Sequence, residues 1–184
     1  MIRSVRLWLQ GFMLDRQGLA AIEFALLAPI MLLLYFGMTE FSTAYLANRR
    51  ANHTASIIAD LIAQSESTSR AEINLAFAIG NLIVEPFDSE PLSVRVTSIT
   101  MAPDGDAVVD WSRAQGTGLP PLVKGADFAN LPENLITSGQ SLIVGESHYV
   151  YTSGATQVIK APLTFKRRYF LRPRAMDKIP CKDC

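Results

Sequence analysis

From Leu19 to Met38 the chain reads LAAIEFALLAPIMLLLYFGM, twenty residues that are apolar all round except at Glu23. As a helix this run measures about 30 Å, the thickness of a bilayer's hydrocarbon core. Pro29 sits inside it, and a proline at membrane depth kinks a helix rather than ending it. Beyond Met38 the pattern becomes one-sided. Phe41, Ala44, Tyr45, Ala51, Ala55, Ile58, Leu61 and Ile62 recur at helical spacing, with Asn48, Arg49, Asn52 and Asp60 on other faces. The spacing predicts that the membrane-length helix continues into water as an amphipathic helix ending near Gln64. Ser65–Ser69 reads as a turn, and Ser69 with Glu72 reads as a capping box. A second helix follows through about Ile83, with Ile73, Ala76, Phe77 and Gly80 as its inner stripe. That stripe is far better explained by packing on the first helix than by a ligand. Glu85-Pro86 stops the helix.

After Pro91 the texture changes. Leu92–Met101 is rich in β-branched residues, 102–106 reads as a turn, and Ala107–Arg113 returns as the partner strand. A long Gly/Pro-rich connection spans Gly116 to Asn134. Ser141–Tyr151 and Leu163–Leu171 are two further strands, separated by a loop holding Ser153 and Gly154. Helices followed by antiparallel strands give an α+β fold class. The predicted layout is an N-terminal transmembrane helix continuing into an exported amphipathic helix, a second helix, and a sheet of about four strands packed on the long helix. No internal repeat is present.

Composition fits this division. The 184 residues hold one modest domain beside a membrane segment. Apolar residues make up 49% and charged residues 18%, which suits a membrane-anchored chain better than a disordered one. Lys+Arg and Asp+Glu both number 17, so no basic footprint for nucleic acid exists. The chain divides into a leader (1–18), a span (19–38), an exported domain (39–175) and a cysteine-containing tail (176–184). Arg3, Arg6 and Arg16 against Asp15 precede the span, and Arg49 with Arg50 follows at a distance. This places the N-terminus in the cytoplasm and the C-terminal part in the periplasm.

Three readings of the N-terminal segment compete. A secretory signal has a shorter apolar core and a small-residue cleavage site after it; here Ser42-Thr43-Ala44 matches poorly. An uncleaved signal-anchor explains length and orientation but gives Glu23 no purpose. A type IV prepilin-like leader explains all three, because cleavage then falls before the apolar segment. Gly18 becomes the last leader residue, Leu19 the new N-terminus and Glu23 the fifth mature residue. Such a cut creates an α-amino group, mostly cationic at neutral pH. A carboxylate one helical turn away, on the same or a neighbouring subunit, neutralises it inside an apolar bundle. Either charge alone is costly at membrane depth, about 2.5–3.5 kcal/mol for a carboxylate at mid-bilayer on insertion scales. Paired, they set the register between stacked helices.

The residues that carry this reading also carry a family resemblance. Gly18–Pro29, running into Phe36–Glu40 and Tyr45–Arg50, resembles the TadE-like (TadE/TadG) proteins of tight-adherence pilus systems. The likeness is dense from Arg16 to Ala63. Val94–Ile99, Trp111–Ala114 and Arg172–Arg174 are similar to segments of the exported part of such proteins. The resemblance implies a minor pseudopilin that takes part in assembling Flp pili. Its implied partners are a prepilin peptidase, other pilin or pseudopilin subunits, the inner-membrane assembly machinery and membrane lipid. Residue by residue it carries over Gly18 before the cut, Leu19 after it and Glu23 at the fifth position.

Other chemistry is sparse, and neither an enzymatic activity nor a cofactor is expected. His53 and His148 are far apart in sequence and lack ligand spacing. No G-x-S-x-G nucleophile turn occurs. Asp104, Asp106 and Asp110 flank a hairpin turn and read as turn chemistry. Cys181 and Cys184 form a C-x-x-C at the chain's end without the βαβ setting of redox motifs. In an oxidising compartment a tight local disulfide is favoured; a redox pair, or metal shared with a second copy, are the alternatives. Lys166, Arg167, Arg168, Arg172 and Arg174 make the last strand and its exit basic. A solvated edge that resists aggregation is preferred over a contact for an acidic partner or lipid headgroups. Two further functions stay in competition with the pseudopilin: an uncleaved bitopic protein whose exported domain binds or scaffolds, and a tethered thiol-redox protein.

Overall fold

A computed structural model describes residues 18–155 and 157–184. The expected leader, with Arg3, Arg6, Asp15 and Arg16, lies outside the described residues apart from Gly18. Helix α1 (Leu19–Ala63) runs for 45 residues, about 68 Å, and is helical through Pro29. Gln64 caps it, its N–H donating to Asp60 O at 3.1 Å. No residue from Leu19 to Thr39 is buried, and the first buried one is Glu40. Beyond it the buried stripe is made of small residues, chiefly Ala44, Ala47, Ala51, Thr54, Ala55 and Ala59, closed by Ile58 and Ile62. Phe41, Tyr45 and Leu61, expected on the inner face, are exposed. Spacing alone put them inside, but the sheet lies too close for large side chains.

Helix α2 (Arg70–Val84) packs beside α1. Ser69 caps it: its hydroxyl accepts from Glu72 N and donates to the Glu72 carboxylate at 2.9 Å. Ile73, Ala76, Phe77, Gly80 and Val84 are its buried face. A Cβ on Gly80 would stand 2.7 Å from Ile58 Cδ1, so the two helices touch nearly backbone to side chain there.

Strands β1 (Leu92–Met101), β2 (Ala107–Gln115), β3 (Ser141–Tyr151) and β4 (Leu163–Leu171) form one antiparallel sheet in the order β2-β1-β3-β4. Gly105, at φ 95°, turns the β1–β2 hairpin, which carries a bulge between Ser98 and Ile99. β2 runs two residues past the expected Arg113. One sheet face, with Val94, Val96, Trp111, Ile143 and Tyr149, packs against the helices. The other face carries Ile99, Val109, Leu142 and Val144, and the 116–140 connection covers it with Phe128 and Ile136. On that face Glu146 sits between Arg95 and Arg168 of the neighbouring strands, at 2.6 and 2.8 Å. Arg95 also donates to Pro120 O at 2.7 Å, and Arg168 lies 5.1 Å over the Phe128 ring. The buried triad thereby pins the long connection to the sheet.

Two local expectations change. Asp110 is no turn residue: its carboxylate accepts from Ser98 and Thr100 hydroxyls at 3.2 and 2.6 Å and pairs with Lys178. Asp104 and Asp106 do serve the turn: the Asp104 carboxylate accepts from Asp106 N at 3.2 Å, and Asp106 O accepts from Ala102 N at 2.8 Å. Residues 176–184 are docked on the domain through Ile179. Ile179 is fully buried, its carbonyl accepts from Trp111 Nε1 at 2.8 Å, and Thr68 N donates to Pro180 O at 2.9 Å. The disulfide Cys181–Cys184 closes this end, and Asp183 accepts from Arg70 N at 2.6 Å in the first turn of α2.

Gly145 on β3 marks the tightest approach of α1 to the sheet. A Cβ there would lie 2.5 Å from Ala55 O and 2.7 Å from Ala59 Cβ. Gly145→Ala should therefore destabilise the fold by about 1–3 kcal/mol, as overpacking does. Denaturant unfolding of the full chain in detergent reads this, and an unchanged midpoint would contradict the close approach.

Candidate assembly site on the long helix

The face that Leu19–Met38 presents is apolar, continuous and unpartnered. Ile22, Phe24, Leu26, Met31 and Met38 are each about two-thirds exposed or more. An apolar surface of this size has to be covered by lipid or by other helices. This is the one helix among the described residues long and apolar enough to cross a membrane.

Gly18 and Leu19 stand at its head. Gly18 has an ordinary helical backbone (φ −82°, ψ −12°), and its carbonyl accepts from Ile22 N at 3.2 Å. A Cβ placed on it meets nothing within 4 Å. Among the described residues nothing demands glycine at this position. Glu23 lies one turn beyond Leu19 on the same face. It is exposed and has no ion-pair partner among the described residues.

At the other end of the span stands Glu40, which closes the Phe36–Glu40 stretch of the family resemblance. Its carboxylate is buried and accepts from Gln157 N at 2.7 Å, Ile159 N at 2.6 Å and Val158 N at 3.2 Å. The Ile159 N–H does most to hold the Glu40 carboxyl below its ordinary 4.5; burial opposes it, and the Gln157 and Val158 N–H groups and Ser153 add to it. Val158 packs 3.7 Å from where a Gly37 Cβ would stand. The 157–159 loop is thereby clasped to α1 where the apolar run gives way to the head. A Glu just past a span is visible in sequence, but three consecutive N–H donors some 120 residues later carry no sequence signal.

The remaining candidates do not converge on a site. His148 Nδ1 is 3.1 Å from Gly118 O, on the sheet face away from the helices, whereas His53 lies on α1. With the sulfurs of Cys181 and Cys184 joined, neither offers a thiolate.

Because the Glu40 carboxyl is held low in the fold, its contribution is complete above pH 4.5 and is lost as pH falls below that toward the lowered value. Hydrogen exchange of the 157–159 amides should accelerate on acidification through that window, beyond the intrinsic pH effect. Glu40→Gln should remove the acid dependence and leave these amides faster at neutral pH. Matching profiles for the two proteins would rule the clasp out.

No curated protein and no solved structure matches the chain. Residues 18–60, which contain Gly18, Leu19, Glu23 and Glu40, match the family model described as TadE-like protein, the family that the N-terminal segment resembles.

Proposed function

We propose that this chain is a minor pilin-like subunit of a tight-adherence, Flp-type pilus system, cut after Gly18 by a prepilin peptidase. The observation that carries the reading is the bare Glu23 carboxylate, one turn from Leu19 on an uncovered membrane-length helix. Cleavage creates the amine that the carboxylate lacks. Lateral packing of Leu19–Met38 against other pilin helices covers the apolar surface and buries the matched pair. In this reading the N-terminus is cytoplasmic, the head is periplasmic, and the protein works as a structural subunit rather than an enzyme. The TadE-like match over residues 18–60 supports it.

The uncleaved bitopic protein is the second reading. The clasp of Glu40 on the 157–159 loop favours it to this extent: a rigid junction between span and head serves a tether as well as a pilin.

Since no contact in the fold needs glycine at position 18, its replacement tests processing without disturbing structure. Gly18→Trp should leave the membrane form at full-length mass, where the native chain begins at Leu19; a native chain that retains Met1 would overturn the pseudopilin. Glu23→Gln should be cut normally yet co-purify poorly with other pilin-like subunits. Undiminished co-purification would remove the registry role from Glu23.

A further inference from the structure

Between the head-proximal part of α1 and β4 lies an open groove of about 620 Å³. Its walls carry Arg49, Arg50 and Arg167, together with His53, Tyr45 and Tyr169, and no Asp or Glu lines it. The chain as a whole is neutral, so this local excess of cations is a segregation of charge. Arg50 is engaged, donating to the carbonyls of Ile83 and Glu85. Arg49 and Arg167 are exposed and form no ion pair among the described residues.

The groove's other wall is the outer strand of the sheet. β4 pairs with β3 on one side only, so its nine residues present alternating unpaired N–H and C=O groups outward. Free backbone groups and unpaired guanidinium groups together match one kind of ligand. We propose that the groove and the β4 edge bind an extended, carboxylate-bearing peptide segment of a neighbouring protein. Its backbone adds to β4 as a fifth strand, and its carboxylates meet Arg49 and Arg167.

Position argues against anionic lipid as the occupant. Tyr45 lies about 10 Å beyond Met38 along the helix axis and Ser56 about 27 Å. The headgroup layer is only about 5–8 Å deep on each side. A tilt of about 20° shortens those heights by less than a tenth. The groove therefore stands clear of the membrane surface and faces other proteins. This proposal names the partner chemistry of the head and rests on the pilin-like reading only for who that neighbour is.

The test uses the full chain in phosphatidylcholine nanodiscs and an N-acetylated octapeptide of alternating glutamate and threonine, with its glutamine counterpart as control. Hydrogen exchange of residues 163–171 should slow on adding the glutamate peptide. The glutamine peptide should need at least about a tenfold higher concentration for the same protection. The double variant Arg49→Gln, Arg167→Gln should lose the preference while keeping the native melting temperature. Equal protection by both peptides, or none at millimolar peptide, overturns the proposal. So does protection that appears only when phosphatidylglycerol is added to the nanodisc, which would assign the cations to lipid. None of these outcomes depends on whether Gly18 is cut, so failure here is distinct from failure of the pseudopilin reading.

Discussion

One uninterrupted helix has to satisfy two surroundings, and the rest of the structure follows from how it does so. From Leu19 to Met38 its side chains are apolar on every face except at Glu23, an exterior suited to lipid or to other helices. From Glu40 onward one face is buried and the others meet water. Glu40 stands at the change. A buried carboxylate with three backbone donors is satisfied without a counter-ion, and in being satisfied it draws the 157–159 loop against the helix. The loop precedes β4, so the same contact that marks the edge of the apolar run also fixes the sheet relative to the rod.

Close approach does the rest. The alanine stripe of α1 and Gly145 of β3 bring backbone nearly against backbone, while Gly80 lets the Ile58 and Thr54 side chains of α1 close on the backbone of α2. Small residues contribute little apolar area each, but they let Ile58, Ile62, Val94, Val96 and Ile143 close over a dense core. Among the described residues no helix covers the second sheet face. There the long connection folds back with Phe128 and Ile136, held by the Arg95–Glu146–Arg168 triad. A charged cluster on one side of the sheet and an alanine stripe on the other solve the same problem, how to cover a sheet with little chain.

Much of this was legible in the sequence because it depends on local pattern. The apolar run, the Ser69 cap, the Gly105 turn and the limits of β1, β3 and β4 are each written within a few neighbouring residues. What was not legible depends on distance in the chain. Helical spacing put Phe41 and Tyr45 inside, since periodicity knows nothing of how near the sheet lies. Asp110 looked like turn chemistry until Thr100 and Lys178 met it across the sheet. The tail looked separate because Ile179 is a lone apolar residue among polar ones, and only Trp111 and Thr68 reveal its place. In the candidate site, Gly18 and Glu23 could be picked out by spacing, whereas the role of Glu40 needed a loop some 120 residues away.

The two glutamates of the long helix differ in one respect. Glu40 finds its donors within its own chain, and Glu23 finds none among the described residues. A charge that is satisfied internally fixes a fold; under the pilin-like proposal, the other serves association. Because α1 is helical from one carboxylate to the other, any register that Glu23 imposes on a bundle is imposed on the head as well. A rotation of the span turns the sheet with it, and with the sheet the basic groove beside β4. The helix long and apolar enough to anchor the chain thus also sets which way its head faces.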